Sequence, residues 1–138
     1  MRTDFISPIL LVKQYARRFD PRVKYPQGNH VYFLWHPFCG GDDIIYLGRT
    51  SRSLNLRLAC HKRFDFTYAT FLAVDPSYTK HDMIQIEKFF LCTISPPCNG
   101  LNTTNPTDTR WLNQDIFNTM RSLRLSEEYH VAPRGEWL

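Results

Sequence analysis

The sequence predicts an α+β protein: a small three-stranded sheet, antiparallel or mixed, flanked by helices. Three observations predict it. The segments His30–His36 and Asp43–Gly48 alternate with the period-two spacing of strands. Apolar residues between Leu54 and His61 and between Met83 and Leu91 instead recur at helical spacing. The resulting order is strand, strand, helix, strand, helix, with a further helix at each end, which is the arrangement of one sheet layered with helices.

Residues 1–29 read as a basic extension, with six cations and two acids. A short helix from Ile9 to Arg18 follows Pro8, and Pro21, Pro26 and Gly28 break the pattern after it. In the first strand Val31, Phe33 and Trp35 point one way and Tyr32 and Leu34 the other. Pro37, Gly40 and Gly41 make a turn. The second strand sets Ile45 and Leu47 on one face and Ile44 and Tyr46 on the other. A hairpin symmetric about Cys39 would bring Tyr32 and Tyr46 directly opposite each other on one side of the ladder. Loop length fixes that register, and a one-residue slip exchanges the faces.

Ser53 is suited to cap a helix running to Arg63, on which Leu54, Arg57, Leu58 and His61 share a face. Phe66–Val74 is the third strand. Thr79 followed by Asp82 approximates a capping box for a helix through Ile94. On that helix Glu87 stands in a stripe with Met83, Ile84, Phe90 and Leu91, and Pro96 and Pro97 end it. Asn99 follows in a loop. Asn113–Leu125 forms the last helix, with Trp111 and Phe117 packing it onto the core.

The 138 residues, 16.3 kDa, suffice for one domain with a real core. The net charge is +4 and twelve of the cations are arginine, the side chain suited to planar recognition of phosphate or carboxylate. The charge is uneven: residues 49–63 hold Arg49, Arg52, Arg57, Lys62 and Arg63 and no acid. No apolar run is long enough to span a bilayer, so no membrane partner is expected. The first residues lack the pattern of a secretory signal, which leads us to expect a cytoplasmic protein, or a nuclear one in a eukaryote. Cys39, Cys60, Cys92 and Cys98 include no CxxC pair. His36, Cys39, Cys60 and His61 match no standard zinc spacing, so free thiols are the better reading.

Three features could carry chemistry. They are the two strand tyrosines, Arg57 with His61 four residues on, and Glu87 within an apolar stripe, where a carboxylate is costly unless paired or bound to a cation. Each has an ordinary reading alone: strand packing, a solvated helix face, and a carboxylate at a stripe's edge. Taken together they form a pattern. His30-Val31-Tyr32, then Tyr46-Leu47-Gly48, then Arg57-x-x-x-His61, then Glu87 and then Asn99 resembles the GIY-YIG nuclease family over residues 30–102. His30 departs from that family's first glycine and Leu47 from its isoleucine; neither removes a reactive group.

The resemblance implies a catalytic core at 30–102, with the extension 1–29 before it and a C-terminal helix and tail, 103–138, packed on it. It implies metal-dependent endonuclease activity on DNA with one Mg²⁺ or Mn²⁺ per site, held by Glu87. Tyr32, Tyr46, Arg57, His61, Glu87 and Asn99 would be the active-site set. Tyr32 would activate water, Tyr46 would bond the phosphate or the water, and Arg57 would offset transition-state charge. His61 would relay a proton or fix a tyrosine hydroxyl, and Asn99 would position the metal loop or the substrate. Gly48, Arg49, Arg52, Lys62 and Arg63 would contact the nucleic acid, with Gly48 letting the chain turn close to a phosphate. A nucleic-acid-binding module without cleavage is the alternative. The chain has no room for a separate DNA-reading domain. Specificity would then come from the flanking segments, a homodimer or a protein partner, as suits a small phage, mobile-element or defence nuclease.

Overall fold

The computed structural model describes residues 8–38, 41–61, 66–99 and 114–130. Its elements in chain order are α1 (Pro8–Tyr15), β1 (Arg17–Arg18), β2 (His30–Phe38), β3 (Gly41–Thr50), α2 (Leu54–Ala59), β4 (Tyr68–Ala73), α3 (Lys80–Ile94) and α4 (Gln114–Arg121). Cys39, Lys62, Arg63 and Trp111 lie outside the described residues.

The fold is α+β, and its sheet is four-stranded and antiparallel throughout, in the order β1-β4-β2-β3. The expected three strands are thus corrected to four. The added strand is Arg17–Arg18, which the sequence reading placed at the end of a helix. α1 stops at Tyr15, and the next peptides are drawn to the open edge of β4, with Arg17 opposite Phe71 and Arg18 opposite Thr70. Phe19 then donates its N–H to the Ala69 carbonyl at 2.8 Å. Two exposed arginines carry no alternation, so backbone pairing alone makes this strand.

The sheet separates two apolar layers. On one face Val31, Phe33, Trp35, Ile44, Leu47 and Leu72 pack against residues of α1, α3 and α4, including Leu11, Met83, Ile86 and Ile116. On the other face Tyr32, Leu34, Ile45, Ala69 and Phe71 pack against Leu54 and Leu58 of α2 and against Tyr25. Trp35 brings a polar group into the first of these layers, and its Nε1 donates to Thr70 Oγ1 at 2.9 Å.

The hairpin register differs from the symmetric one. Tyr32 stands opposite Gly48, and Tyr46 opposite Leu34. The ladder then shifts between Leu34 and Trp35, where Trp35 pairs with Ile44, leaving Ile45 as an extra residue in β3. This bulge breaks strict alternation. Ile45 and Tyr46, assigned to opposite faces from the sequence, both join the α2-side core, while Ile44 and Leu47 join the other.

The helix after Ser53 is shorter than expected. Ser53 caps it, its side chain accepting from Leu56 N–H, but it ends at Ala59 rather than Arg63. Cys60 is its C-cap, and His61 N–H closes a tighter turn onto the Leu58 carbonyl at 3.2 Å. α3 begins with a full capping box, Thr79 and Asp82 each satisfying the other's backbone N–H. α4 also ends early, at Arg121, and Leu125 instead forms an antiparallel bridge with Val74. No described helix is long and apolar enough to cross a membrane.

Candidate active site

Tyr32 is the centre of the α2 side of the site. Its side chain is fully buried, yet its hydroxyl meets two ionisable partners. Tyr32 Oη lies 2.6 Å from His61 Nε2 and accepts from Arg57 Nε at 3.0 Å. β2 supplies the tyrosine, α2 the arginine, and the turn that ends α2 the histidine. Two turns of local structure therefore bring Arg57 and His61 to one hydroxyl.

Gly48 makes room for that hydroxyl. It lies inside β3, which runs on to Thr50, directly opposite Tyr32. A Cβ at this position would overlap Tyr32 Oη and stand 2.6 Å from Cζ. The missing side chain lets the phenol lie flat across the neighbouring strand. Tyr46, half-buried, completes the group: its ring is 6.4 Å from that of Tyr32 and 4.9 Å from that of His61.

The ionisation of the group follows from burial. Burial pushes the Tyr32 phenol well above the ordinary tyrosine value, against the opposing effect of Arg57. Burial, and then the Arg57 charge, lower the His61 pKa below its usual 6.5, so the ring is neutral at neutral pH. The Tyr32 hydroxyl therefore keeps its proton and faces a neutral imidazole nitrogen.

Glu87 approaches from the other layer. It sits on α3, with its side chain 25% exposed, and Arg49 of β3 reaches it at 3.6 Å. Burial raises the Glu87 pKa, while Arg49 and then Arg57 hold it down. Glu87 in turn pushes Tyr32 upward, so the two halves of the site lie within electrostatic reach of each other. Arg49 stands opposite Val31, on the α3 side of the sheet. Its Nε is buried without a hydrogen-bond partner, since 3.6 Å is too long for one.

Among the described residues no group of three or more His, Cys, Asp or Glu side chains stands ready to hold a metal. The donor set is nevertheless suited to one hard cation. Glu87 offers a partly open carboxylate whose ion pair is loose, and Mg²⁺ or Mn²⁺ takes few protein oxygens and retains much of its water.

Asn99 is drawn in by a different force. It is 3% exposed, and its amide pairs both ways with the peptide of Leu47, Oδ1 accepting the N–H and Nδ2 donating to the carbonyl, each at 2.9 Å. Cys98 N–H adds a bond to the Ile45 carbonyl at 2.8 Å. The segment after α3 thereby covers the open edge of β3 at Ile45 and Leu47. Asn99 acts on the strand's backbone, a role no local spacing indicates.

Of the cations expected at the phosphate rim, Arg49 turns to Glu87 and Arg52 is exposed at the start of α2. His30 tucks beneath the sheet, its Nδ1 2.9 Å from the Gly28 carbonyl and its ring edge-on to Phe71. Cys60, Cys92 and Cys98 are free thiols. No family model, curated protein or solved structure matches this chain.

Proposed function

We propose that the protein is a metal-dependent endonuclease that hydrolyses DNA phosphodiester bonds with a GIY-YIG-like site. The observation that carries this reading is the Tyr32 hydroxyl held between Arg57 Nε and His61 Nε2. Such an arrangement moves a proton without requiring a standing phenolate. Tyr32 Oη accepts from Arg57, donates its proton to neutral His61, and keeps one lone pair for an attacking water. As the water oxygen bonds to phosphorus, the water's proton passes to Tyr32 Oη and the phenolic proton passes to His61 Nε2. The bond from phosphorus to the leaving oxygen breaks, and that oxygen takes a proton from solvent. His61 then returns its extra proton to solvent, which restores the site.

Arg57 stays charged throughout and faces both the phenol and the negative charge that grows on the phosphate. Tyr32 is enclosed in the free protein, so the attacking water enters with the substrate, past the half-buried Tyr46. Glu87 would hold the Mg²⁺ or Mn²⁺, which when bound stabilises negative charge on the phosphate and the leaving oxygen. The Nε of Arg49, ion-paired to that carboxylate at 3.6 Å without a hydrogen bond, is a donor suited to a phosphate oxygen.

The test is cleavage of plasmid, linear, single-stranded and branched DNA in Mg²⁺ and in Mn²⁺. Glu87→Gln should fall to background, and Tyr32→Phe should lose about 10²- to 10⁴-fold, the worth of positioned proton transfer. Full activity of Glu87→Gln would refute the reading. Salt-sensitive binding without cleavage in either metal would make the chain a nucleic-acid-binding module instead.

A further inference from the structure

The loop between β1 and β2 is fastened to the start of α2. Asn55 is the fastener: its Oδ1 accepts the Tyr25 N–H at 3.0 Å and its Nδ2 donates to the Val23 carbonyl at 2.8 Å. Gly28 N–H adds a bond to the Arg52 carbonyl at 3.0 Å. Tyr25 anchors the loop from below. Its ring sits edge-on to Phe71 at 4.9 Å, and its hydroxyl accepts the Asp20 N–H at 3.0 Å. The crest of the loop is thus held beside α2, and an open groove of about 510 Å³ separates the two.

The lips of this groove combine two surface types. Val23 is 44% exposed and Leu56 70% exposed, although both are large and apolar. Around them Arg22, Lys24 and Arg52 are also exposed. Across residues 17–28 and 49–57 the one acid is Asp20, and it is bonded to Arg22 at 3.1 Å. Leu56 and Arg57 are neighbours on α2, so one short helix carries both this ridge and the arginine that reaches Tyr32. A lone exposed leucine is ordinary. Two apolar tips on a rigid, cation-flanked ridge match the surface that presses an apolar wedge into a DNA minor groove while cations hold the adjacent phosphates.

We propose that this ridge is a duplex-DNA docking surface. Lys24 and Arg52 contact phosphates, and Leu56, with Val23 beside it, wedges against a base step. Asn55 is a positioning residue that fixes the two lips. The choice of DNA as ligand rests on the nuclease reading above.

The test uses the full chain in EDTA with a short duplex carrying 2-aminopurine at successive steps. Anisotropy gives affinity between about 50 and 200 mM salt. The double variant Lys24→Ala/Arg52→Ala should reduce the slope of log K against log salt by about 2. Leu56→Ala should keep the slope and lose the rise in 2-aminopurine fluorescence that unstacking produces. Asn55→Ala should weaken both readouts together. The exposure of Lys24, Arg52 and Leu56 makes these changes neutral to folding, which circular dichroism checks. An unchanged slope in the double variant, no fluorescence rise in the wild type, or no duplex binding at all would each overturn the proposal. If the wild type cleaves DNA and the ridge variants bind as it does, the ridge fails and the nuclease reading stands. If the variants behave as expected but no metal supports cleavage, the ridge stands and the nuclease reading fails.

Discussion

Replacing Gly48 with alanine tests the packing at the centre of the site, because two arguments give opposite signs. Gly48 has no left-handed backbone conformation to protect. Inside a strand, alanine in place of glycine would ordinarily stabilise by about 0.5–1 kcal/mol, through lower unfolded-state entropy. Here the new Cβ would stand 2.6 Å from Tyr32 Cζ, against the 3.4 Å at which contact becomes ordinary, so the ring must retreat by about 0.8 Å. That movement stretches the bonds from Tyr32 Oη to His61 at 2.6 Å and to Arg57 at 3.0 Å. Overpacking costs about 1–3 kcal/mol, and the strained hydrogen bonds about 1–2 kcal/mol more. Gly48→Ala should therefore destabilise by about 2–4 kcal/mol, read as a lower urea midpoint at constant m-value. In a Tyr32→Leu background the same change should cost little, giving a coupling energy of about 2–4 kcal/mol. A Gly48→Ala protein as stable as the wild type, or more so, would refute the reasoning.

Two further predictions concern protons. His130 is fully buried, with Nε2 accepting the Ala73 N–H at 2.8 Å and Nδ1 donating to the Tyr15 carbonyl at 2.7 Å, which requires a neutral ring. Burial lowers its pKa from 6.5 to about 4. The folded value is the depressed one, so its contribution, about 3 kcal/mol, is complete above pH 6.5 and lost as pH falls through about 4. Urea melts between those pH values should show a steeper acid loss for the wild type than for His130→Gln; equal slopes would contradict it. In the proposed mechanism His61 must be neutral to receive the Tyr32 proton, and its pKa is lowered from 6.5. The acid limb of kcat/KM should therefore fall below that value and be missing from His61→Gln; a limb above 6.5, or one that survives the substitution, would exclude His61 as the acceptor.

The sequence made some of this legible and hid the rest for physical reasons. Arg57 and His61 were readable as partners because helical spacing is local, and the helix ends only two residues short of His61. Tyr32 and Tyr46 share a face as expected, but their register was hidden by the bulge at Ile45. Ile44, Ile45 and Tyr46 are all suited to burial, so nothing in their composition marks where alternation breaks. Glu87 stood out in its apolar stripe, while its partner Arg49 could not be assigned, since the pair joins a strand and a helix far apart in sequence. β1 had no signal, because two arginines pair through their backbone alone. Asn55 was equally silent, for its partners lie 30 and 32 residues away.

The Asn99 amide has a consequence for how the protein is assembled. It joins Leu47 across 52 residues, and this closure seals the border of the strand that carries Tyr46 and Gly48. Until the chain has been synthesised past Asn99, that border presents free peptide groups, which are an invitation to pair with another strand. The same closure fastens the end of the Glu87 helix to the tyrosine strand. It adds one further tie to the packing of that helix on the sheet and to the Arg49–Glu87 pair, and its loop-closure cost is met once. A nascent or truncated chain that ends before Asn99 should hold every residue of the Tyr32 group and still be sticky, which light scattering would read.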